Sequence, residues 1–418
     1  MRVLLVVHGF PPLGQGGAEL HAAALARELE RGGDEVFVFS AARGAEAVAR
    51  AGAESGERLR FLPFRGGGRD PLLRLRDRRV REAFDEFLTE TKPNVVHVHH
   101  LLFLSSDLIE VAAARGIPVV TTLHDLWFQC PLAHPLPGQR HRFRGALWGL
   151  SCFAHFETRS WMHRLALPVR LPLLLPKHLR RPGFMRRQLL MSRRIVVPSV
   201  YLRRAFGESG VPEDRMTVIP HGTDLAAAEG GPVGTRVVFG IVATLTPHKG
   251  VHVACEAFAR DGGDSKLHLY GRVAVPAYAR SLERRFGPRI ELHGGFDRED
   301  LPRILGGIDV LVVPSLAAES FSLAAVEAQA AGLPLIVSNI GALAERVEEG
   351  VNGLLVPPGD VGALAAAIER LRDPTQVARL QTGVRPPLTD QEHAAQIREL
   401  YEAASRESES VGAPDGRV

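Results

Sequence analysis

The chain has 418 residues, of which 45% are hydrophobic and 23% are charged, a balance typical of a folded globular protein and not of a disordered one. This length exceeds that of a typical single domain and predicts two. A net charge of only +4, without the clustered basic and aromatic signature of a nucleic-acid binder, argues against that class of protein.

The cysteines and the apolar runs indicate the compartment. Three cysteines are far apart and lack CxxC spacing, which predicts neither a disulfide framework nor a zinc site: Cys130, Cys152 and Cys255. The apolar start is too short for a signal peptide, and no apolar run approaches the roughly 20 residues of a membrane span. We therefore expect a cytoplasmic protein with reduced thiols that is neither exported nor integral to a membrane.

The first half of the chain alternates short β-branched runs with amphipathic stretches. The runs predicted to be buried parallel strands are RVLLVV from Arg2, EVFVFS from Glu35, NVVHVH from Asn94, IPVVTTL from Ile117, RIVVPS from Arg194 and MTVIP from Met216. The first helix has a stop signal at Gly32 and Gly33. This alternation predicts a Rossmann-like domain over residues 1–225.

The same alternation resumes after a linker of small residues at 226–235. The second set of predicted strands is RVVFGIVA, KLHLYG, RIELHG, DVLVVPS and LPLIVS, which predicts a second Rossmann-like domain at 236–388. A C-terminal helix is expected at 389–405 and a disordered tail at 406–418. The predicted fold is α/β, with two facing domains and a ligand-binding interdomain cleft at the carboxyl ends of both sheets.

Two glutamates eight residues apart, Glu319 and Glu327, lie where a strand is predicted to pass through a loop into a helix. Ser320 or Ser322 can cap this helix, whose free backbone amides and dipole favour a diphosphate. Eight helical residues turn through about 800°, some 80° from the starting face, so the two carboxylates could not share one ligand atom if both were fully helical. A nucleotide sugar offers hydroxyl groups to both, on its sugar and on its ribose. The alternative is that both glutamates only solvate a helix surface.

Lys249, in the segment TPHKG, lies at the start of another predicted helix. A lysine at this position is unfavourable for the helix dipole, which indicates that it serves an anion. In combination with the two glutamates it supports a phosphate-containing ligand.

The order of these motifs resembles that of the retaining glycosyltransferases of family 4, also called glycosyl transferases group 1. The resemblance is close from about Arg236 to Leu371, where it includes TPHKG, LHLYG, IELHGGF, DVLVVPS, the E-x7-E stretch, AAGLPLIVSNIGALAE and NGLLVPPGD. It is looser over the first domain, where it rests on FPPLGQGGAELHAAALARELERGGDEV, HVHH, TTLHDLW, VVPS and IPHGTDL. It implies the GT-B fold, with the acceptor bound by the first domain and the nucleotide sugar by the second.

The resemblance also implies roles for individual residues. Glu319 would contact the donor sugar's hydroxyls and stabilise the developing oxocarbenium charge, and His124 would face the reacting side of the sugar. Lys249 would pair with the departing diphosphate, and Glu327 would bind the ribose diol. Further donor-binding positions are Gly16, Gly17, Ser320, Phe321 and Ser322. For His124, the alternative is a histidine that is merely hydrogen-bonded at a strand end.

The chain departs from the family at Thr244, where an arginine usually accompanies the lysine. Arg272 is a candidate to supply the missing bidentate phosphate contact. The implied mechanism is front-face transfer with retention, in which a donor phosphate oxygen accepts the proton of the acceptor hydroxyl. No metal and no other cofactor is expected, because Lys249 and helix amides take the place of a cation. The acidic run Asp297 to Asp300 is interpreted as an ordinary helix start.

A basic insertion at about 140–194 holds thirteen Lys or Arg residues and one acidic residue, Glu157. This insertion predicts peripheral contact with the inner face of an anionic membrane, or capture of an acidic or lipid-linked acceptor. A solvated basic hairpin that packs through its leucines is the alternative. Prolines at 168, 172, 176 and 182 argue against one long helix.

The sequence thus predicts an enzyme that transfers a hexose-type sugar from a nucleotide-diphosphate sugar to a hydroxyl of a glycan, lipid-linked or small-molecule acceptor, in cell wall or polysaccharide biosynthesis. A dinucleotide oxidoreductase is disfavoured, because Glu19 stands where G-x-G-x-x-G needs its last glycine. A GT-B nucleotide-sugar epimerase and a non-catalytic glycan-binding or scaffold homologue remain open alternatives.

Overall fold

The computed structural model describes residues 1–14, 16–64, 75–131, 167–225, 234–260 and 266–412. These residues form two compact units. The first unit takes the described residues up to Gly222 together with those from Asp390 onward, and the second takes those from Thr223 to Thr389.

The first unit is built on a seven-stranded parallel sheet. Its order is β3-β2-β1-β4-β5-β6-β7, with β1 Arg2–Val7, β2 Glu35–Arg43, β3 Leu59–Phe64, β4 Val95–Val98, β5 Val119–Thr122, β6 Arg194–Val197 and β7 Met216–Val218. Leu4 and Val6 pack into a core on one face of the sheet, whereas Val3, Leu5 and Val7 pack into a core on the other. Both faces are covered, which explains why the strands are continuous apolar runs.

Helices cover this sheet on both faces. They are α1 Gly17–Arg31, α2 Ala45–Glu54, α3 Arg78–Thr91, α4 Leu108–Ala114, α5 Leu167–Met191 and α6 Val200–Glu208. As expected from Gly32 and Gly33, α1 ends there, and Gly33 adopts a φ of 85°, which glycine tolerates without steric cost.

The prediction that prolines prevent one long helix in the basic segment is wrong. α5 runs unbroken over 25 residues, although residues 140–166 of the predicted insertion lie outside the described part. Its buried positions recur with helical spacing, at His178, Arg181, Pro182, Met185, Gln188 and Leu189. Burial of this face stabilises the helix by tertiary packing and compensates for the backbone hydrogen bonds that proline cannot donate.

The second unit is built on a six-stranded parallel sheet. Its order is β10-β9-β8-β11-β12-β13, with β8 Phe239–Val242, β9 Leu267–Tyr270, β10 Ile290–Gly294, β11 Val310–Val313, β12 Leu335–Ser338 and β13 Gly353–Val356. Its helices are α7 Val251–Arg260, α8 Pro276–Phe286, α9 Leu301–Gly306, α10 Leu323–Ala330, α11 Val361–Arg370 and α12 Pro374–Gln381. Along β11, Val310 and Val312 face one core and Leu311 and Val313 the other.

The last helix, α13 Asp390–Gly412, returns the chain to the first unit. Tyr401 is fully buried there, and its hydroxyl lies 2.6 Å from His97 Nδ1. Arg398 pairs with the buried carboxylate of Asp34 at 3.3 Å. The helix ends at Gly412 and thus continues into the segment 406–418 that was expected to be a disordered tail. Residues 413–418 lie outside the described part. None of the helices in the described ranges has the length and apolar character to cross a membrane.

Candidate functional site

In the second unit, Lys249 and Glu319 form an ion pair. Lys249 Nζ donates a hydrogen bond to Glu319 Oε1 at 2.9 Å. The hydroxyl of Ser315 donates to the same carboxylate oxygen, and Ser322 also hydrogen-bonds to the carboxylate. Two residues proposed from separate segments of the sequence are thus in direct contact.

The charge of Glu319 is preserved although the side chain is mostly buried. Burial alone would raise the pKa of this carboxyl group, but the positive charge of Lys249 and the hydrogen bonds from Ser315, Lys249 and Ser322 outweigh it. The pKa of Glu319 therefore lies below its ordinary value, and the group is a carboxylate at neutral pH.

A close approach of two loops brings Lys249 to this position. Gly250 follows the lysine with a φ of 68°, and a Cβ placed there would lie 1.9 Å from the carbonyl oxygen of Pro314. The amide of Leu316 donates to the His248 carbonyl at 2.8 Å. Only glycine fits this contact between the loop after β8 and the end of β11.

The loop that carries Glu319 is shaped by a second glycine. Gly341 forms a parallel bridge with Glu319, and the Ala342 amide donates to the Glu319 carbonyl at 2.9 Å. Ser322, one of the two serines expected to cap α10, is its N-cap residue with a left-handed φ of 66°, but it makes no side-chain cap hydrogen bond. Its hydroxyl is directed to Glu319, so Ser322 supports the carboxylate in place of the helix amides.

Glu327 lies within α10 and is buried, with a partner that the sequence pattern does not reveal. Arg298 Nη1 donates to Glu327 Oε1 at 2.8 Å, so the run from Asp297 to Asp300 is more than an ordinary acidic helix start. Burial raises the pKa of Glu327, and Arg298 partly offsets this effect. Nearby in the same unit, the Arg346 guanidinium lies 4.3 Å from the ring centroid of Phe321, and burial lowers its pKa to about 10.

Thr244 and Arg272 follow neighbouring strands. The Leu245 amide donates to the Arg272 carbonyl at 3.0 Å, and Leu245 pairs with Val273. The two positions therefore lie on adjacent loops at the same edge of the sheet, with Arg272 exposed.

In the first unit, Gly16 and Gly17 begin α1, with Gly16 as the N-cap residue. The Gly16 amide donates to the carboxylate of Glu19, which also lies 3.5 Å from His8 Nε2. A Cβ at Gly16 would lie 2.3 Å from Glu19 Oε2. Glu19, the residue that argues against a dinucleotide fingerprint, thus accepts from the N-cap amide and makes one half of a capping box over the glycine turn.

His124 follows β5 between two other histidines. Its Nε2 lies 3.0 Å from His99 Nδ1, and its Nδ1 lies 3.1 Å from His221 Nε2. Burial, followed by the nearby His100, lowers the pKa of His124 to about 3, so the ring is neutral at physiological pH. A neutral ring in such a chain donates from one nitrogen and accepts at the other.

Comparison with solved structures defines the fold class. HepE from Anabaena, solved in complex with UDP and glucose, matches with a TM-score of 0.66 and 20% identity over 96% of this chain and 100% of that chain. The two Rossmann-like units are thus those of a GT-B fold, which confirms the predicted fold class.

Comparison of sequences gives the family. The models of Glycosyltransferase Family 4 and of Glycosyl transferases group 1 match residues 15–227 and 236–373, and the chain belongs to the family 4 glycosyltransferases. The MMP alpha-(1->4)-mannosyltransferase of Mycolicibacterium hassiacum is 29% identical over 73% of this chain and 70% of its own length. The glycogen synthase of Mycobacterium tuberculosis is 27% identical over 97% of this chain and 95% of its own.

Proposed function

We propose that this glycosyltransferase acts with retention and transfers a hexose-type sugar from a nucleotide-diphosphate sugar to a hydroxyl of a glycan, lipid-linked or small-molecule acceptor. The Lys249–Glu319 pair beside the N-terminus of α10 is the observation that supports it most. During transfer the leaving diphosphate gains negative charge while the sugar ring gains positive charge, and this pair offers one group to each. The mannosyltransferase, the glycogen synthase and the UDP and glucose bound by HepE support the same chemistry.

The proposed roles follow from charge and position. Lys249 and the backbone amides of Ser320 to Ser322 bind the departing diphosphate, and Glu319 contacts the sugar hydroxyls and stabilises the oxocarbenium charge. A phosphate oxygen of the donor accepts the acceptor's proton. No metal cofactor takes part in the proposed transfer. In the first unit, Gly16 and Gly17 approach the donor phosphate, and His124 faces the reacting side of the sugar.

The donor is tested by thermal shift with UDP, GDP, ADP and their common sugar conjugates. Glu327 is proposed to bind the ribose diol, so one nucleotide raises the melting temperature of the wild type and does so less for Glu327→Ala. Glu283→Ala, an exposed position on α8, is the matched control and keeps the full shift. If no nucleotide shifts the melting temperature of the wild type, or if Glu327→Ala and Glu283→Ala show equal shifts, the assignment is contradicted.

Arg272 is proposed to replace the arginine that the family usually has at the position of Thr244. Arg272→Ala then weakens the affinity for the donor, whereas Arg280→Ala, an exposed arginine on α8, does not. Unchanged donor affinity in Arg272→Ala would remove this role.

Turnover experiments separate the alternatives. Consumption of the donor only with an added acceptor, with the anomeric configuration of the product retained, supports the proposal. Isomerisation of the donor sugar without an acceptor would favour an epimerase, and donor binding without any turnover would favour a non-catalytic homologue.

We further propose that the protein is cytoplasmic and contacts the inner face of an anionic membrane through α5. The exposed face of this helix carries Lys177, Arg180, Arg187 and the 45% exposed Leu179, a combination suited to an interfacial helix. Sedimentation with anionic vesicles at low salt tests this idea, and neutral vesicles are the control. Charge reversal at Lys177, Arg180 and Arg187 should abolish sedimentation. Charge reversal at three exposed arginines of α8, Arg280, Arg284 and Arg285, should not. A wild type that stays in the supernatant contradicts the membrane contact.

A further inference from the structure

Three histidines from distant parts of the chain meet in the first unit. His21 lies on α1, His221 follows β7, and His393 lies on α13. One ring nitrogen from each lies within 4.8 Å of the others. The ring centroid of His21 is 3.9 Å from that of His221 and 4.7 Å from that of His393.

Two of these histidines bury a nitrogen that has no partner. His21 and His393 are 6% and 1% exposed, and the Nε2 atom of each has no hydrogen-bond partner within the described structure. His393 Nδ1 lies 2.8 Å from the Pro220 carbonyl oxygen. A carbonyl only accepts, so Nδ1 carries the proton and Nε2 carries the lone pair. A backbone carbonyl that fixes the far nitrogen in this way is a frequent feature of metal-binding histidines.

We propose that His21, His221 and His393 bind one divalent transition-metal ion, of which Zn²⁺ fits best. Three neutral imidazoles suit zinc, copper or nickel, whereas Mg²⁺ and Ca²⁺ prefer oxygen ligands. Zinc binds histidine nitrogen at about 2.0–2.1 Å and accepts three histidines with a water in the fourth position. Nitrogens in such a geometry are about 3.3 Å apart, so three atoms within 4.8 Å of one another need to approach by at most about 1.5 Å.

The electrostatics of the cluster agree with this assignment. Burial lowers the pKa of all three rings, and neighbouring histidines lower it further for His21 and His221. The rings therefore stay neutral near pH 7, and neutral imidazole is the form that binds a metal.

His21 also belongs to a second trio with His99 and His124. We place the ion on the first trio because both ring nitrogens of His124 already face other histidines, at 3.0 and 3.1 Å. By contrast, the Pro220 carbonyl fixes the lone pair of His393 on Nε2, which has no hydrogen-bond partner among the described residues. The ion would join α1, the end of β7 and α13, and so fasten the C-terminal helix to the first unit. The proposed sugar transfer itself needs no metal, although His221 also lies 3.1 Å from His124, the residue proposed to face the sugar.

The test uses full-length protein without a histidine tag, stripped with a chelator and dialysed. Mass spectrometry of the bound metal after Zn²⁺ addition should give one ion per chain, and Zn²⁺ but not Mg²⁺ should raise the melting temperature. His21→Ala and His393→Ala should each weaken Zn²⁺ binding at least about tenfold. His293→Ala is the matched control, because it removes a histidine from the more exposed group His268, Glu291 and His293 in the second unit.

Three results overturn the proposal: no retained Zn²⁺ in the wild type, Zn²⁺ binding lost in His293→Ala but kept in His393→Ala, and binding lost in His99→Ala but kept in His393→Ala. A second measurement covers alanine variants that fail to fold. Co²⁺ in place of Zn²⁺ should give the visible absorption of a tetrahedral site in the wild type. His393→Gln, whose amide can still donate to Pro220, should lose this absorption while its circular dichroism stays native.

Discussion

At Glu319, a buried carboxylate keeps its charge because Lys249 lies 2.9 Å away. Glu319→Gln removes the charge while it nearly preserves the shape, so the donor should still bind but the oxocarbenium-like transition state should lose its stabilisation. We expect kcat to fall about 10²–10³-fold, the usual loss for one preorganised electrostatic contact. Steady-state kinetics with the donor found by thermal shift measure this effect.

Glu369→Gln, at an exposed position on α11, is the control for this substitution and should leave kcat unchanged. If Glu319→Gln raised KM alone and left kcat intact, the carboxylate would act in ground-state binding and not in the transition state.

Arg298 governs the charge of Glu327, and its removal should make nucleotide binding depend on pH. Burial already raises the pKa of Glu327 and the guanidinium partly offsets this rise, so Arg298→Ala should raise the pKa further. As pH falls, the variant protonates Glu327 earlier and loses an acceptor for the ribose diol sooner than the wild type. The dissociation constant of the nucleotide between pH 5 and 8 measures the difference, and parallel pH profiles would contradict it.

At the residue scale, the sequence indicated which groups carry charge but not how they pair. Positions beside helix starts predict Glu319 and Lys249, and the eight-residue spacing from Glu319 predicts Glu327. The sequence does not predict that Arg298 and Ser315 are their partners. The Arg298–Glu327 bond spans 29 residues of chain and the Ser315–Glu319 bond spans four, and both depend on how loops fold back. No periodicity in the sequence records that geometry.

At the element scale, Gly341 fixes the loop that carries Glu319. Its φ is 60°, and a Cβ there would lie 2.7 Å from the Glu319 carbonyl oxygen. Gly341→Ala should destabilise the protein by about 1–3 kcal/mol and displace Glu319, with a loss of about a hundredfold in kcat. Thermal unfolding and kinetics on the same samples measure the two effects.

Gly332→Ala is the matched control for this prediction. Gly332 also has a positive φ, 78°, but a Cβ there meets nothing within 4 Å. The control should therefore lose stability through backbone strain alone and keep its kcat. Equal losses of activity in both variants would show that general destabilisation, and not the position of Glu319, limits the rate.

Sequence periodicity predicted the strands that are apolar throughout, such as β1 and β11. It does not predict β3, whose sequence LRFLPF mixes an arginine and a proline into an intermediate burial pattern. Nor does it predict β13, which is visible only as part of the family motif NGLLVPPGD. The continuous α5 was missed as well, since local proline penalties predicted breaks that burial of one helix face overcame.

At the scale of the whole molecule, the order of elements along the chain does not tell which unit each element joins: α13 follows the second unit in sequence but packs in the first. The amphipathic pattern of α13 predicted a helix, but it did not reveal that Tyr401 would reach His97 or that Arg398 would reach Asp34. These partners lie about 300 residues or more away in the chain. The sequence pattern fixes which face of a helix is buried, whereas the choice of surface depends on complementary shapes that only the folded units display.

Buried histidines of the first unit should make it sensitive to acid. Burial, with smaller contributions from neighbouring histidines and, for His178, from Arg181, holds the pKa of His97 well below its ordinary value. It lowers the pKa of His124 to about 3 and that of His178 to about 4. The unfolded chain takes up protons on these rings below about pH 6.5, whereas the folded unit does not. The free energy of unfolding should therefore fall by about 1.4 kcal/mol per pH unit and histidine between pH 6.5 and about 4.

Hydrogen exchange can follow this loss in each unit separately. With EDTA present and rates corrected for intrinsic exchange, the amides of β4 should lose protection between pH 7.5 and 5.0 more than those of β11. The second unit should respond less, because His252 and His268 are only partly buried and their pKa values are less strongly lowered. Equal losses in both sheets would mean that the histidines of the first unit are protonated in the folded state, so that burial does not keep them neutral.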